Sequence, residues 1–507
     1  MTAKARIGVV GAGTMGRGIA QLFAQSGHPV SVYDGVAATV TDAIAAIGSM
    51  IDKGVAKNQF TPEHALAVKA AIKPCSTLDA LADCGVVIEA IIEEIGAKQA
   101  LFGQLESILG EQAILASNTS SLIIAEIAAK CRHPGRVAGL HFFNPVPLMK
   151  VVEVIASVRT HPATIETLRA LVSGTGHRAV EAADQPGFLI NHAGRGYYTE
   201  ALRVLEEQVA THAEVDVLLR EAAGFRMGPF ELLDLTGLDV SGKVMESIYE
   251  LFHQEPRFRP SSLVPPRIAA GLYGRKSREG WYSYGKETKP TSVVPPDAAP
   301  LTGSETASIW IDPRADQRAE LASTATAVGA RLVDQPSEAA LIVIQPWGWD
   351  ASSYCAEHCL DARRCIAIDP LPGLERRITL MLTAVTEPVA RRLATSFLAQ
   401  AGKPFTVIGD SPGFIVQRVL ATIVNIASNI AQRRIATVAD IDDAVRLGLG
   451  YPFGPLSWGD RIGADKILAI LRAMQTLTGD PRYRPSPWLM RRASLGVSLL
   501  TEEAGRS

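Results

Sequence analysis

The residues with the types and spacing to do chemistry are concentrated in one stretch, "LHFFNPVPLMKVVEV" at 140–154. Most of it reads as buried strand, yet it carries His141 and, twelve residues on, Glu153 inside "VVEVI". An unpartnered buried carboxylate is costly and normally ends hydrogen-bonded to something polar or cationic. His141 is the nearest such group. A carboxylate that holds one imidazole nitrogen leaves the other free to act as a general base near neutral pH. The pair therefore predicts proton abstraction, and whatever accepts the rest of the substrate's bond must be positioned by other elements.

Those elements begin at the N-terminus. "ARIGVVGAGTMGRGIAQLFAQSGHPVSVYD" runs from a short apolar segment through Gly11, Gly13 and Gly16 into helical periodicity, then into a second apolar segment closed by Asp34. This is strand, glycine turn, helix, strand. Gly11 permits the tight turn, Gly13 lets a pyrophosphate approach backbone N–H groups at a helix start that includes Thr14 and Met15, and Gly16 allows close helix packing. An acidic residue at Asp34 would accept hydrogen bonds from the adenosine ribose and repel a 2′-phosphate, which predicts NAD rather than NADP. Further apolar runs at 84–90, 113–117 and 136–143 alternate with helical segments, the pattern of a parallel sheet covered on both faces. "EAIIEE", "SNTSS" and "HFFNP" fall at the carboxyl ends of these strands, where such sheets bind ligands. His141 is thus expected beside a nicotinamide, able to take a proton from an alcohol as hydride leaves the same carbon.

Composition narrows the alternatives. A chain of 507 residues exceeds one ordinary domain and predicts about three units. With 47% hydrophobic and 20% charged residues the balance is that of a globular protein, and no apolar run approaches the roughly 18 residues that span a bilayer. The N-terminal apolar run breaks at glycines without a cleavage pattern and is read as a first strand, giving a cytoplasmic expectation. Six cysteines without CxxC spacing are expected as reduced thiols, and a net charge of −2 offers no field for nucleic acid. No metal site is expected.

"GAGTMG", "SNTSSL", "HFFNPVPLMKVVEV" and "DQPGFLIN", in that order, make residues 1 to about 285 resemble the L-3-hydroxyacyl-CoA dehydrogenase family. The resemblance implies an α/β Rossmann-type NAD-binding domain followed by an all-α C-terminal domain, an acyl-CoA substrate, His141 as general base and Glu153 as its orienting partner. It further implies that Ser120 and Asn191 contact the hydroxyl or the thioester carbonyl, and that Glu93, Lys98, Asn144 and Lys276 contact NAD. Lys53, in "DKGVAKN", is a candidate for the CoA phosphates. Two positions depart from the family pattern: His192 stands where arginine is common, and "GRKSREGWY" has Arg278 where a glycine is usual. The rival class is a non-catalytic dinucleotide-binding structural protein, which intact His141, Glu153, Ser120 and Asn191 argue against.

The second half repeats part of the first. "DQPGFLIN" at 184 returns as "DSPGFIVQ" at 410, and at this offset of 226 Asp216 matches Asp442, Gly224 matches Gly450 and "MGPFELLD" matches "FGPLSWGD". Each copy has a capping-box start, Thr211 with Glu214 and Thr437 with Asp440. Apolar runs between 307 and 408 suggest a degenerate Rossmann-like segment without GxGxxG, in which Glu153 falls on Thr379 and no histidine takes the place of His141. The expected layout is a Rossmann domain at 1–183, a helical copy at 184–287, a linker at 288–306, a degenerate α/β segment at 307–408, a second helical copy at 409–485 and a tail at 486–507. The two helical copies are expected to pair as an intrachain pseudo-dimer, with a homodimer also open.

Overall fold

The structure is a computed structural model that describes residues 4–285 and 307–503. The linker expected at 288–306 lies outside the described residues, as do 1–3 and 504–507.

An eight-stranded sheet organises the first half: β1 Ile7–Val10, β2 Val30–Tyr33, β3 Ile72–Pro74, β4 Val86–Glu89, β5 Ile114–Ser117, β6 Val137–Phe142, β7 Val151–Ala156 and β8 Arg178–Ala183. Their order is β3-β2-β1-β4-β5-β6-β7-β8. All neighbours are parallel except β6 and β7. The central strands are short and buried along their length, as strands covered on both faces must be. Chain order reverses between β1 and β4, so the crevice where a parallel sheet takes its ligand opens there. The β6–β7 hairpin turns the chain back, and its register places His141 directly opposite Glu153.

The second sheet comprises β9 Ser308–Ile311, β10 Arg331–Leu332, β11 Leu341–Ile344, β12 Cys365–Ile368, β13 Ile378–Leu382 and β14 Phe405–Ile408, ordered β10-β9-β11-β12-β13-β14. It repeats the first in reduced form, including one antiparallel pair, β12 with β13. The fold expected from sequence, two helical regions with an α/β segment between them, is the one observed.

Two compact units divide the chain discontinuously: 1–192 with 433–449, and 193–432 with 450–507. In the first unit helix Val438–Gly448, from the repeated half, packs on β8 and β7. Arg178 on β8 pairs with Asp440 at 2.6 Å and Asp443 at 2.9 Å, and the Ala183 N–H donates to the Ile435 carbonyl. In the second unit helices Arg195–Glu206 and Val416–Gln432 pack closely: a Cβ on Gly196 would lie 3.2–3.3 Å from atoms of Ile423, Thr422 and Ile426. The buried Arg418 guanidinium binds the Glu200 carboxylate in the same layer.

Only the first of the two expected capping boxes is complete. Thr211 and Glu214 cap each other's backbone N–H, whereas Thr437 accepts from the Asp440 N–H but the Asp440 carboxylate turns to Arg178. Residues from 486, read as a tail, carry helix Pro487–Leu495, capped by Ser486 and packed on Val416–Gln432 and Ala464–Thr478.

Candidate active site

The glycine loop after β1 is shaped by what a side chain would strike. Gly11 has φ 99°, and a Cβ there would stand 2.5 Å from the Ala90 carbonyl oxygen. On Gly16 a Cβ would come within 1.7 Å of the Gly11 oxygen, so helix Thr14–Gln25 can leave the strand at this angle only without a side chain. Gly13, by contrast, faces open space, and no side chain caps the helix start. The first-turn N–H groups, including those of Thr14 and Met15, are therefore left for an anion, which fits the pyrophosphate of NAD. Asp34 closes the loop: its two oxygens accept from the N–H groups of Ala12 at 2.8 Å and Val36 at 2.9 Å. A crevice of about 420 Å³ lined by Gly11, Gly13, Asp34, Thr39, Ile91 and Ile92 is available for the adenosine portion.

At the next strand ends a buried charge network stands ready. Lys98 is 0% exposed. Its ammonium lies 2.6 Å from Glu89 and 3.3 Å from Glu93. Glu89, the last residue of β4, also accepts from Ser117 Oγ at 2.6 Å and the Ile91 N–H at 2.8 Å. Sequence reasoning missed Glu89. The available signal was a carboxylate inside the apolar "VVIEA", which burial obliges to find a partner. Glu93 in turn gathers the "SNTSS" loop: one oxygen accepts from Thr119 Oγ1 at 2.7 Å and from the Ser120 and Ser121 N–H groups at 2.9 and 3.2 Å. Burial pushes the Glu93 carboxyl up, but these donors and the Lys98 charge outweigh it and hold it below its usual value. Ser120 Oγ rests 3.2 Å from the same oxygen. Asn118 joins this loop to β6 by accepting from the Phe142 N–H at 2.8 Å, two residues before Asn144.

The Glu153 side chain is wholly buried and fully hydrogen-bonded. One oxygen meets His141 Nδ1 at 2.5 Å; the other accepts from the N–H groups of Leu189 at 2.9 Å and Ile190 at 2.7 Å. Those donors are presented by the "PGF" turn, where Gly187 and Phe188 both take positive φ, 72° and 48°. Asn191 follows in the next helical turn. With Nδ1 committed, His141 has Nε2 left, and that nitrogen has no hydrogen-bond partner among the described residues. The ring sits against Phe143, with centroids 4.4 Å apart, and Phe188 at 5.8 Å.

Lys53, also expected as a contact, is not part of this cluster: it lines a separate depression with Ile44, Ser49, Asp52 and Lys69. Lys276 belongs to the second unit, where its ammonium pairs with Asp239 at 2.5 Å. Arg278, nearby in sequence, has φ 64°, the conformation that favours the glycine usual at that position and that costs a side-chain-bearing residue about 1–2 kcal/mol.

In the second sheet the position opposite Thr379 is Asp369, whose N–H donates to the Thr379 carbonyl at 3.2 Å. Gln417, the counterpart of Asn191, donates to Asp369 Oδ1 at 2.9 Å. The alignment offset of 226 misses Asp369 because this hairpin is two residues shorter than β6–β7. Burial raises the Asp369 carboxyl to about 7.

An NAD-dependent dehydrogenase is the class that this fold and crevice define. Residues 6–185 match the family model "3-hydroxyacyl-CoA dehydrogenase, NAD binding domain", and residues 187–284 and 413–504 match "3-hydroxyacyl-CoA dehydrogenase, C-terminal domain". The 3-hydroxyadipyl-CoA dehydrogenase of Escherichia coli (strain K12) is 38% identical over 96% of this chain and 97% of its own. The mitochondrial hydroxyacyl-coenzyme A dehydrogenase of Sus scrofa is 37% identical over 54% of this chain and 90% of its own. Among solved structures, a 3-hydroxybutyryl-CoA dehydrogenase from Escherichia coli K12 superposes with TM-score 0.86 at 36% identity, covering 98% of this chain and 99% of that one. The chain belongs to the 3-hydroxyacyl-CoA dehydrogenase family. Among the described residues no helix is long and apolar enough to cross a membrane.

Proposed function

We propose that the protein oxidises (S)-3-hydroxyacyl-CoA to 3-oxoacyl-CoA with NAD, acting on 3-hydroxyadipyl-CoA in the cytoplasm as a step of phenylacetate breakdown. The observation that carries the chemistry is the buried His141–Glu153 pair with one imidazole nitrogen uncommitted. Bound NAD supplies a nicotinamide ring that accepts hydride. His141 Nε2 takes the hydroxyl proton as the substrate's C3–H bond gives up its electron pair, so the alcohol loses one proton and one hydride. Glu153 keeps the Nδ1 proton in place and stabilises the imidazolium that forms. Ser120 and Asn191 orient the hydroxyl and the thioester carbonyl, the uncapped helix start at Thr14 and Met15 receives the pyrophosphate, and Asp34 receives the ribose hydroxyls. Glu93, Lys98, Asn144 and Lys276 are proposed to complete the NAD contacts, with Lys53 on the CoA phosphates. The second half supplies structure: its helical copy pairs with the first, and Thr379, Asp369 and Gln417 replace the dyad and Asn191, giving one active site per chain.

The acyl chain is supported by the relative that matches the chain from end to end, named for 3-hydroxyadipyl-CoA. The structure that superposes over the same span is named for 3-hydroxybutyryl-CoA, which supports the second reading, a short-chain or fatty-acyl dehydrogenase. A panel of 3-hydroxybutyryl-CoA, longer 3-hydroxyacyl-CoAs and 3-hydroxyadipyl-CoA, compared by kcat/KM, decides between them: the highest value belongs to the adipyl thioester if the first reading holds. Absence of NADH formation with every member would return the protein to the non-catalytic class.

A further inference from the structure

The first sheet has a second functional-looking end. Strands β5 and β6 start, and β7 stops, at a cleft of about 700 Å³ lined among others by Glu111, Arg132, His133, Arg136, Arg159 and His161. This is the edge away from the carboxyl ends that carry the dinucleotide crevice. Three guanidiniums face a single lining carboxylate, Glu111. From behind, the buried Glu106 carboxylate accepts from the N–H groups of Arg132 at 2.7 Å and His133 at 2.9 Å and pairs with Arg136 Nη2 at 3.6 Å, so it offsets one of the three charges and leaves Arg132 and Arg159 to dominate the cleft.

Arg136 is the built part of the cleft. Only 7% exposed, it is fixed by donating Nη1 to the carbonyls of Gly110 at 2.6 Å and Ala113 at 3.3 Å, and its buried Nε has no hydrogen-bond partner among the described residues. Arg159 and the His161 ring are exposed and have no side-chain hydrogen bond or ion pair among the described residues. His161 also precedes helix Pro162–Ser173, whose start adds a partial positive charge at the same cleft. Its ring lies across Gly135, where a Cβ would fall 2.1 Å from Cδ2, so a side chain there would displace the ring.

We propose that this cleft is a second anion site, taking a small molecule through a phosphate or pyrophosphate group. Forked guanidiniums pair with phosphate oxygens two at a time, which favours a phosphate over a single carboxylate. The volume is that of a small-ligand pocket rather than of a single ion. The site is separate from the crevice at the carboxyl ends of the strands: Arg136 immediately precedes β6 and His141 lies near its end, about 17 Å away along the strand.

The test titrates inorganic pyrophosphate, and in a parallel arm ADP, into full-length protein saturated with NADH so that the glycine loop is occupied. Calorimetry on the wild type and on the Arg132→Gln/Arg159→Gln double variant reads the outcome. Both arginines are exposed, and neither belongs to the proposed catalytic machinery, so turnover without added anion stays at the wild-type level. The double variant should bind the probe at least about tenfold more weakly, the loss expected when charged hydrogen bonds are removed. Tighter binding of pyrophosphate than ADP identifies a free inorganic anion, and the reverse identifies a nucleotide-borne phosphate. No binding of either probe, or equal binding by wild type and double variant, overturns the proposal.

Discussion

Replacing Glu153 by glutamine tests the proposed chemistry more sharply than removing the histidine. The substitution keeps the shape and removes the charge, so the amide must choose which way to face. Its oxygen can accept from the Leu189 and Ile190 N–H groups, now 2.9 and 2.7 Å from Glu153 Oε1, or from His141 Nδ1. Facing the imidazole would set the NH2 group against two buried backbone donors and lose both bonds, each of which costs about 1–3 kcal/mol when left unsatisfied. The oxygen therefore turns to the backbone and the NH2 group meets Nδ1. Nδ1 must then accept, which moves the ring proton to Nε2, the nitrogen that is to receive the substrate's proton. Glu153→Gln should lower kcat by about 10²–10⁴ with little change in NADH affinity. Absorbance of NADH gives the rate, calorimetry the affinity, and ¹⁵N shifts of His141 the tautomer. Turnover within about threefold of wild type, or an Nδ1–H tautomer retained in the variant, would refute this account.

Asp34→Ala should lower kcat/KM for NAD by about 10–100-fold, because its charged hydrogen bonds are lost, and should narrow the preference over NADP; equal use of both cofactors by the wild type would contradict the reading of Asp34. Calorimetry of the full chain with NADH should give one site per chain, and two equivalent sites would show that the second sheet has kept a cofactor crevice. Asp369, raised to about 7 by burial, makes a contribution that is fully present below the unfolded carboxyl value and is lost as pH rises towards 7. Asp369→Asn cannot ionise, so its stability relative to wild type should rise by roughly 3 kcal/mol between about pH 5 and 8 in denaturant titrations; a pH-independent difference would show that Asp369 does not titrate in this range.

The site was legible where local pattern and chemistry coincide. The glycine loop, Asp34 and the pairing of His141 with Glu153 follow from residue type and spacing, because twelve residues suffice for a hairpin that brings its ends level. Glu89 was obscured by the same logic that made the strand readable: an apolar run hides the charged residue that ends it. Asp369 escaped because a constant offset assumes equal hairpin lengths, and this one is shorter. The reassignment of 433–449 to the first unit has no local signature at all, since it is decided by which sheet helix Val438–Gly448 covers, and Arg178 announces it only once Asp440 is known to be near.

That reassignment also orders events on the ribosome. Strand β8 is the edge of the first sheet, and the helix that packs on it with Gly448 against Ile190 and Val151 is made long after the rest of its unit. Between 192 and 433 lie about 240 further residues of sequence, which at roughly 5–20 residues per second take about 12–48 s to synthesise. Throughout that interval the emerging N-terminal sheet carries an uncovered edge strand, the feature most prone to pairing with a foreign chain. Completion of the proposed catalytic lobe is thereby postponed until nearly the entire polypeptide has been translated, and a message truncated anywhere before residue 433 yields a lobe without its last helix.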